Sequence, residues 1–576
     1  MPGQALRPSQ FIYTFGVGSI IEAPGGPRLV PAFEKWGRVF GPGRTPPVSM
    51  FAIPDSTSSS LIDDGLIFRI PTNVDLNEPE NVQVFFTERF PEWALCVPHG
   101  YLFQLPKDDR TRCPDCLNSG STKSARPKAI RFVRACPEGH LDDVDWYGII
   151  HSFGKSCNST VYRWNSEGGS LRDVEISCTC GARKTLQDIY RETKHCTGRF
   201  PESGTAFSSC SKEAKVTLRG SSSLRIPEVF TTITIPQFAS RLHRILDSYQ
   251  MRTILATRKA WTKADLVDAL KNMSELDPNL FDPRTIDEVN TQTEERLLKS
   301  IDDLRRFALN RPTTLSAVRE MEFNALQDAA ENGHPPDPTS ESPEFQVNKF
   351  KVRKDVPFSS HNYRIAPVER LRVVTVQRGY RRLGTNPDSN KLVKTFYFDG
   401  NRKWFPGLEQ IGEGIFIDFG KNKPKLTSEE WNNEYQNRMD LQFHPVFVWW
   451  HSLSHRIITA LSIDSGYSSA AIRESVYTMK DPRTGDVSGG VLFYTTQTGT
   501  DGSLGGLISL VPEFETVLSA AMRNLDVCSN DPLCSEMSVK TRGINGAACY
   551  ACLLLSETSC SNRNMFLDRN LLRGNI

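Results

Sequence analysis

Apolar residues recur at helical spacing through the middle of the chain. Residues 237–331 carry this pattern, most clearly in ERLLKSIDDLRRFAL, and Thr262 stands where an N-cap would precede the segment AWTKADLVDAL. The string HPVFVWWHSLSHRIITALS shows a long helical pattern nearer the C-terminal end. We therefore predict a helical domain in the middle of the chain and a further long helix within residues 435–576.

Short runs of β-branched and aromatic residues predict strands on both sides of this helical region. NVQVFF at 81–86 is one such run, LRVVTVQ and VKTFYF are the clearest runs within 346–430, and VLFYTTQ precedes the glycine-rich segment 499–506. The composition of HPPDPTSESPE, residues 334–344, is typical of a linker.

These patterns predict an α+β multidomain protein with no internal repeat. At 576 residues the chain is long enough for three to four domains of about 150 residues each. We divide it into an N-terminal β-rich domain (1–90), a cysteine-rich zinc-binding region with zinc-ribbon-like modules (91–225), a helical domain and linker (226–345), a basic β-rich segment (346–434) and a C-terminal α/β zinc-binding domain (435–576).

Bulk composition narrows the class of protein. The formal net charge is +2, so no global field draws the chain to nucleic acid or to a membrane surface. The start MPGQALRPSQ lacks a signal-peptide pattern, and no run approaches the roughly 18 apolar residues of a membrane span. We therefore expect a cytoplasmic protein.

The cysteines fall into two groups. Nine of the 14 lie between residues 96 and 210, and five lie between 528 and 560. In a reducing cytoplasm, this clustering favours metal binding over disulfides and over scattered buried thiols. We expect about two to three structural Zn²⁺ sites, which would hold together small subdomains whose apolar cores are thin.

The first candidate metal site has the ligands of a zinc ribbon. It consists of Cys96-V-P-His99 and Cys113-P-D-Cys116. Each pair forms a short knuckle, and four such ligands close a tetrahedron that leaves no open position for catalysis.

The second candidate site has more possible ligands than one zinc ion needs. The preferred set is Cys157, Cys178, Cys180 and Cys196, and the glycine after Cys180 suits a knuckle turn with positive φ. Cys136 with His140 could replace two of these ligands, or could form another site with Cys210. A buried hydrogen bond is the ordinary explanation for a histidine such as His140 or His151.

A third candidate site lies in the strings CSNDPLC and GAACYACLLLSETSC near the C-terminal end. Cys549 and Cys552 form a C-x-x-C step, whose two thiolates can share one metal ion. Cys528 or Cys534 on one side and Cys560 on the other could complete a tetrahedral sulfur shell.

Motifs of catalysis are missing from the sequence. It contains no G-x-x-x-x-G-K-[ST] loop and no G-x-S-x-G nucleophile elbow. His451 and His455 stand one helical turn apart, but Ser452 replaces the glutamate of an H-E-x-x-H motif, which favours a packed helix face beside Trp449 and Trp450. The glycines of 499–506 fit a tight turn better than an anion site.

Charge is uneven along the chain. Residues 346–405 hold 14 Lys and Arg against four Asp and Glu, with aromatic residues interleaved, whereas residues 255–345 hold 11 against 18. A basic, aromatic-rich block is typical of single-strand nucleic-acid binding, and Arg378, Arg381, Arg382 and Lys403 are its candidate phosphate contacts. Acidic helices that cover basic strands within one protein explain the same pattern equally well.

Several strings together resemble the DrmB family of the bacterial DISARM antiphage system. They are RFVRACPEGHLDDVDW, HSLSHRIITALSIDSGYSSAAIRESVY, GVLFYTTQTGTDGSLGGL and DPLCSE followed by GAACYACLLLSETSCSNRNMFLDR, and they spread over residues 131–569. The C-terminal part is similar to the zinc domain at the end of MrfA-like helicases. Cys534, Cys549, Cys552 and Cys560 match the family's terminal cysteine pattern, with Cys528 as an extra member.

The resemblance implies a subunit without a motor, which pairs with a DrmA-type ATP-dependent helicase and engages foreign DNA through the complex. It carries over no catalytic residue, so the expectation is a non-enzymatic partner with structural zinc. One alternative is a metal-dependent nuclease built on His444, His451, His455 and Asp501. Another is a stand-alone DNA-binding regulator, although the sequence has no helix-turn-helix signature.

Overall fold

The computed structural model describes most of the chain and contains both helices and strands. The described residues are 5–36, 48–80, 82–106, 110–123, 127–152, 157–204, 209–276, 281, 283–336, 344–358, 361–386, 388–420, 444–497, 506–539 and 544–573. The predicted glycine-rich turn at 499–505 and most of the predicted linker, residues 337–343, lie outside them.

The strands are mostly short, with a few long exceptions after residue 360. In chain order they are β1 (Ile20–Ala23), β2 (Gly26–Leu29), β3 (Leu66–Arg69), β4 (Glu88–Arg89), β5 (Trp93–Cys96), β6 (Tyr101–Gln104), β7 (Pro127–Ala129), β8 (Phe132–Ala135), β9 (Leu141–Asp143), β10 (Val161–Ser166), β11 (Val174–Ser177), β12 (Arg183–Thr185), β13 (Thr193–His195), β14 (Glu213–Leu218), β15 (Ile226–Ile233), β16 (Phe345–Val347), β17 (Arg353–Phe358), β18 (His361–Arg381), β19 (Val393–Lys394), β20 (Tyr397–Asp399), β21 (Arg402–Asp418), β22 (Ile472–Lys480) and β23 (Val487–Gln497).

The longer helices all begin after residue 260. In chain order the helices are α1 (Pro8–Tyr13), α2 (Ser56–Ser60), α3 (Pro114–Asn118), α4 (Trp146–Ile150), α5 (Leu186–Arg191), α6 (Arg241–Leu246), α7 (Tyr249–Leu255), α8 (Lys263–Leu276), α9 (Pro283–Thr291), α10 (Glu294–Leu309), α11 (Leu315–Asn332), α12 (Pro445–Asp464), α13 (Phe514–Met522) and α14 (Asn570–Arg573).

The described residues group into two compact units. The first contains residues 1–53, 65–230 and 376–408, and the second contains residues 54–64, 231–375 and 409–576. The mixed helix and sheet content and the cysteine-rich modules confirm the predicted α+β class. The five segments derived from the sequence stay a prediction.

The first unit contains three small antiparallel sheets in which the cysteine-rich modules are built. Their strand orders are β1-β2-β4, β12-β11-β10-β6-β5-β7 and β13-β14-β8-β9. The apolar core of the six-stranded sheet includes Trp146, Tyr162 and Ile189, and a separate aromatic core contains Phe33 and Trp36. Metal sites contribute most to stability where a protein has several small apolar cores of this kind.

The second unit has a sheet covered by helices on both faces. Tyr363 and Ile365 of β18 pack in the core that includes α12 and α13, whereas Ala366 and Val368 pack in the core that includes α11. Side chains alternate between faces along a strand, so a strand buried on both faces reads as one continuous apolar run. This explains why LRVVTVQ, which continues β18, has no polar alternation. The helices α6 to α10 form their own core, which includes Leu266.

Most of the predicted elements are present, and one is wrong. Thr262 caps α8, because its Oγ1 accepts a hydrogen bond from the Asp265 backbone N at 3.1 Å, and α12 covers the predicted C-terminal helix. The run NVQVFF is wrong as a strand, since residues 82–86 form none. The β-rich N-terminal region also contains two helices, α1 and α2.

Candidate metal centres

All 14 cysteines of the chain lie in five side-chain clusters whose potential ligand atoms are within 4.8 Å of one another. We name them cluster A (Cys96, His99, Cys113, Cys116), cluster B (Cys136, His140, Cys196, Cys210), cluster C (His151, Cys157, Cys178, Cys180), cluster D (Cys528, Cys534, Cys549, Cys552) and cluster E (His451, His455, Glu474, Cys560). The thiols are all free, so none of the cysteines forms a disulfide.

Cluster A is formed by two turns, as the sequence predicts. Cys96 ends β5, His99 lies in the turn before β6, Cys113 is the N-cap of α3, and Cys116 lies within that helix. His99 Nδ1 is 3.5, 3.4 and 3.3 Å from the Sγ atoms of Cys96, Cys113 and Cys116. A Zn–S bond of about 2.3 Å and a Zn–N bond of about 2.0 Å at tetrahedral angles place S and N roughly 3.6 Å apart. The cluster therefore has the dimensions of a zinc site.

Burial determines the protonation of cluster A when no metal ion is bound. Burial, together with hydrogen bonds to Cys113 and Cys116, raises the pKa of Cys96 to about 12. A group of buried thiols stays protonated at neutral pH unless a metal ion compensates the thiolate charges.

Cluster B is built from the ends of two hairpins in the sheet β13-β14-β8-β9. Cys136 follows β8 and His140 precedes β9, while Cys196 follows β13 and Cys210 precedes β14. Because β14 and β8 are antiparallel neighbours, both hairpin turns lie at the same end of the sheet. Cys196 Sγ is 3.4 Å from both Cys136 Sγ and His140 Nδ1, so the two turns meet at one point.

Cluster C combines a helix end with a knuckle turn. His151 is the C-cap of α4, and its Nδ1 donates to the Tyr147 carbonyl at 2.9 Å, which leaves Nε2 as the acceptor 3.3 Å from Cys157 Sγ. Fixing one imidazole nitrogen in this way is the usual support for a zinc-binding histidine. After Cys178 the chain turns at Gly181, whose φ is 86°, as predicted for a knuckle.

The thiolate of cluster C is stabilised locally. Burial opposes ionisation of Cys178, but hydrogen bonds from the Cys180 backbone and from the Cys157 and His151 side chains lower its pKa to about 6. A thiol that ionises this easily is a good metal ligand at neutral pH.

Cluster D contains four cysteines close to the C-terminal end. The Sγ–Sγ distances are 3.4 Å for Cys528 and Cys549, 3.7 Å for Cys534 and Cys552, and 3.6 Å for Cys549 and Cys552. Tetrahedral zinc with four sulfur ligands requires about 3.8 Å. Asn530 Nδ2 donates to Cys549 Sγ at 3.4 Å. Burial opposes ionisation of Cys549, but hydrogen bonds from Asn530, Cys528, the Ala551 backbone and Cys552 together lower its pKa to about 7.

Cluster E lies in the interior of the second unit. His451 and His455 come from consecutive turns of α12, Glu474 from β22 and Cys560 from the C-terminal loop. Burial alone would raise the pKa of the Glu474 carboxyl, but the two imidazoles hold it well below its usual range. The sequence had favoured an ordinary packed helix face for these histidines.

The structure regroups several of the predicted ligands. Cys196 belongs with Cys136, His140 and Cys210, and not with Cys157 as in the preferred set; His151 takes that place. Cys560 is not part of the terminal four-sulfur cluster, because Cys528 and Cys534 both contribute to it. The error arose because neighbours in sequence were assigned to one ion, whereas the turns direct their side chains to different points.

Only two of the four residues proposed for a nuclease, His451 and His455, come together in the described part of the chain. His444 is the N-cap of α12, where its Nδ1 accepts a hydrogen bond from the Val446 backbone N at 3.2 Å. It is absent from cluster E, and Asp501 lies outside the described residues.

The basic block separates into buried and exposed residues. Arg382 has no exposed surface and donates to the backbone carbonyls of Gly139 at 2.9 Å and Leu224 at 2.5 Å, so it cannot contact a phosphate in this conformation. Arg381 is largely buried and ion-paired with Glu228 at 3.5 Å. Both were predicted phosphate contacts, and their burial corrects that prediction.

Two predicted phosphate contacts are exposed in the first unit. Arg378 lies in β18 and Lys403 in β21, and both side chains face solvent. Lys403 Nζ lies 5.7 Å from the ring centre of Phe396, and the neighbouring Phe398 is 48% exposed. Exposed cations beside exposed rings are the combination that single-stranded nucleic acid uses.

In the second unit, acidic residues neutralise part of the basic block. Arg364 pairs with Asp418 at 2.6 Å and with Glu331 at 3.4 Å, and Lys354 also pairs with Glu331, at 3.1 Å. Glu331 belongs to the acidic helical stretch. Internal charge compensation therefore accounts for these two basic residues. It does not account for the exposed Arg378 and Lys403 of the first unit.

Four clusters of thiolate and imidazole ligands with tetrahedral dimensions define a protein stabilised by several structural zinc sites. Comparison with known proteins agrees with this class. Residues 453–553 match the family model described as the MrfA Zn-binding domain, which includes cluster D, and residues 7–226 match a domain of unknown function, DUF8724, which includes clusters A to C.

Similarity to one known protein extends over most of the chain. The DISARM protein DrmB of Bacillus paralicheniformis (strain ATCC 9945a / NCIMB 11709 / CD-2) is 29% identical over 536 residues, which are 84% of this chain and 88% of the relative. This similarity and the MrfA Zn-binding match confirm the two resemblances found in the sequence.

A solved structure has a much weaker likeness. It is the DUF1998 helicase MrfA bound to DNA, which is 10% identical over 32% of this chain and 22% of that chain, with a TM-score of 0.18. A TM-score this low supports no conclusion about fold.

Among the described residues, no helix has the length and apolar character needed to cross a bilayer.

Proposed function

We propose that this protein is a non-catalytic partner subunit of a DrmA-type ATP-dependent helicase in antiphage defence, located in the cytoplasm. It scaffolds the helicase, helps the complex to hold DNA, and uses zinc only for structure. The similarity to DISARM protein DrmB over 84% of the chain is the observation that carries the proposal. The region that matches the MrfA Zn-binding domain supports the link to helicases.

The metal clusters support a structural role for zinc. Clusters A to D each supply four Cys or His ligands, which fill a tetrahedron and leave no position for a substrate or a catalytic water. Thirteen of the 14 cysteines are used in this way, and Cys560 is buried in cluster E, so the clusters leave no exposed spare thiol as a nucleophile. These features support a subunit that does no chemistry of its own.

The exposed part of the basic block supports a role in binding DNA. Arg378 and Lys403 are its two exposed candidates from the sequence, and Phe398 gives an exposed ring on the strand paired with Lys403. A small number of phosphate contacts gives one subunit only weak affinity for DNA. The same contacts increase the DNA affinity of a complex whose helicase already holds the strand. We therefore expect DNA affinity mainly in the complex.

The proposal is tested by purifying the full chain alone and together with a DrmA-type helicase from the same source. We expect co-elution of the two chains, DNA-stimulated ATP hydrolysis by the pair, and none by this chain alone. ATP hydrolysis by the lone chain, or failure of the two chains to associate at micromolar concentration, would contradict the proposal.

The same preparation distinguishes the nuclease alternative. Incubation of the chain and of the complex with DNA and Mg²⁺ or Mn²⁺ should give no cleavage. Cleavage that disappears in His455→Ala but persists in His444→Ala would establish a nuclease and would overturn the non-catalytic proposal.

A further inference from the structure

Cluster E joins three parts of the second unit that are distant in sequence. His451 and His455 lie on α12, Glu474 on β22 and Cys560 in the C-terminal loop. Their exposed fractions are 0%, 0%, 0% and 5%. Four polar side chains are rarely placed together in an apolar core unless something compensates for their lost hydration.

The potential ligand atoms of cluster E converge on one point. Glu474 Oε1 is 2.9 Å from His451 Nε2 and 3.3 Å from His455 Nε2, and His451 Nε2 is 3.2 Å from Cys560 Sγ. Tetrahedral bonds of about 2.0–2.3 Å give separations of roughly 3.3–3.6 Å between such atoms, so one of the three distances lies in this range and the other two are slightly shorter. The second carboxylate oxygen of Glu474 accepts a hydrogen bond from Ser454 Oγ, so Oε1 alone faces the centre.

Both imidazoles are held with their lone pairs directed inward. His451 Nδ1 lies 3.3 Å from the Phe566 carbonyl, and His455 Nδ1 lies 2.7 Å from the Leu553 carbonyl. A carbonyl oxygen can only accept, so each Nδ1 carries a proton, and in the corresponding neutral tautomer Nε2 is the acceptor. Among the described residues, His455 Nε2 and Glu474 Oε1 have no hydrogen-bond partner. Acceptors that face one another in this way need either a metal ion or an added proton between them.

The sulfur atom is prepared for negative charge. The backbone N–H groups of Asn562 and Asn564 point to Cys560 Sγ at 3.3 and 3.2 Å. N–H donors around a sulfur stabilise a thiolate. One thiolate and one carboxylate carry two negative charges, which a divalent cation neutralises within the buried site.

We infer that cluster E is a fifth structural metal centre, with two imidazoles, one carboxylate and one thiolate around a divalent transition metal ion, and that the ion is Zn²⁺. The set of N, O and S ligands and their convergence on one point match zinc, and the buried, four-ligand shell leaves no open position for catalysis. The ion would connect α12 to β22 and to the C-terminal loop. Because the Leu553 carbonyl that supports His455 directly follows Cys552 of cluster D, the two centres would support one another.

The competing explanation is a buried ion pair between a protonated histidine and Glu474, with a neutral thiol and no metal. It accounts for the two short nitrogen–oxygen distances. It leaves the second histidine unexplained, because only one positive charge is needed to balance Glu474. Metal content and metal position separate the two explanations.

The experiment measures zinc in the full chain, expressed with zinc and exhaustively desalted. We expect five zinc ions per chain by inductively coupled plasma mass spectrometry, four in His451→Ala and in Cys560→Ala, and five in His444→Ala. His444 is the matched control, because it lies at the start of the same helix and outside the cluster.

Anomalous diffraction at the zinc edge from crystals of the wild-type chain does not depend on the folding of any variant. We expect a peak about 2.3 Å from Cys560 Sγ, in addition to the peaks at clusters A to D. Peaks at clusters A to D with none beside Cys560 would overturn the inference. So would a His451→Ala chain that folds and holds as much zinc as the wild type.

Discussion

Cys560 Sγ lies 3.2 Å from His451 Nε2 although 109 residues separate them in sequence. Cys552, only eight residues before Cys560 in the chain, contributes to a different cluster. The terminal cysteines therefore divide between two centres, a four-cysteine cluster near the surface and a mixed cluster in the core. The C-terminal segment therefore contributes side chains to both clusters.

Cys528 should be essential for cluster D, although the family pattern treats it as an extra cysteine. We expect Cys528→Ala to lose one zinc ion per chain and to lower the thermal midpoint, because three sulfurs cannot close the tetrahedron. Zinc content and differential scanning fluorimetry measure both effects. Val527→Ala is the control, since Val527 is 71% exposed and adjacent. An unchanged zinc content in Cys528→Ala would place the ligands elsewhere.

Cluster A should maintain the local structure around β5 and β6. We expect Cys113→Ala to lose one zinc ion and to increase amide hydrogen exchange over residues 93–104, because a knuckle without its metal has few apolar contacts to order it. Hydrogen–deuterium exchange by mass spectrometry reports this region directly. Val97→Ala, in the same turn and 50% exposed, should leave both zinc content and exchange unchanged. Loss of zinc without a local change in exchange would show that the metal does not hold this module together.

The sequence was sufficient to predict cluster A and most of cluster D because their ligands lie in short local turns. A C-x-x-C or C-x-x-H spacing defines the turn by itself, so Cys113 and Cys116 require no knowledge of the fold. Cluster B could not be predicted in this way, because Cys136 and Cys196 are brought together only by the pairing of β8 with β14.

Cluster E was missed for a related reason. The spacing of His451 and His455 indicated a shared helix face, but Glu474 and Cys560 have no local signal. The surrounding apolar residues of α12 favoured an ordinary packed core. That prediction was correct about the burial of the two histidines, but it did not include their grouping with Glu474 and Cys560. The prediction of phosphate contacts in the basic block was incomplete for a different reason. Composition could not show that Arg382 is buried while Arg378 is exposed, since both lie on or beside the same strand.

Arg382 should therefore contribute to stability. Its guanidinium contacts Glu202 Oε1 at 3.4 Å and lies 4.7 Å from the ring centre of Tyr380. Removing one partner of a buried ion pair leaves an uncompensated charge, so Arg382→Ala should lower the free energy of unfolding by about 3–5 kcal/mol. Urea denaturation measures the change. Arg378→Ala should alter it by no more than about 0.5 kcal/mol, as is usual for an exposed residue, and equal effects of the two substitutions would contradict this division of the block.

Arg378 and Lys403 should act in DNA binding by the complex and not in folding. We expect the double variant Arg378→Glu and Lys403→Glu to associate normally with the helicase and to bind single-stranded DNA more weakly. Each lost phosphate contact should reduce the slope of log K against log salt by about one unit. Fluorescence anisotropy with a labelled oligonucleotide at several salt concentrations measures affinity and slope together.

The control for this charge reversal is Arg483→Glu, at a position whose side chain is 90% exposed in the turn between β22 and β23. It changes the net charge in the same direction, so it corrects for general electrostatic repulsion between the complex and DNA. A fall in affinity that is equal in Arg483→Glu and in each single variant would indicate only this general repulsion. A fall confined to Arg378→Glu and Lys403→Glu, accompanied by the smaller slope, would locate phosphate contacts on the exposed part of the basic block.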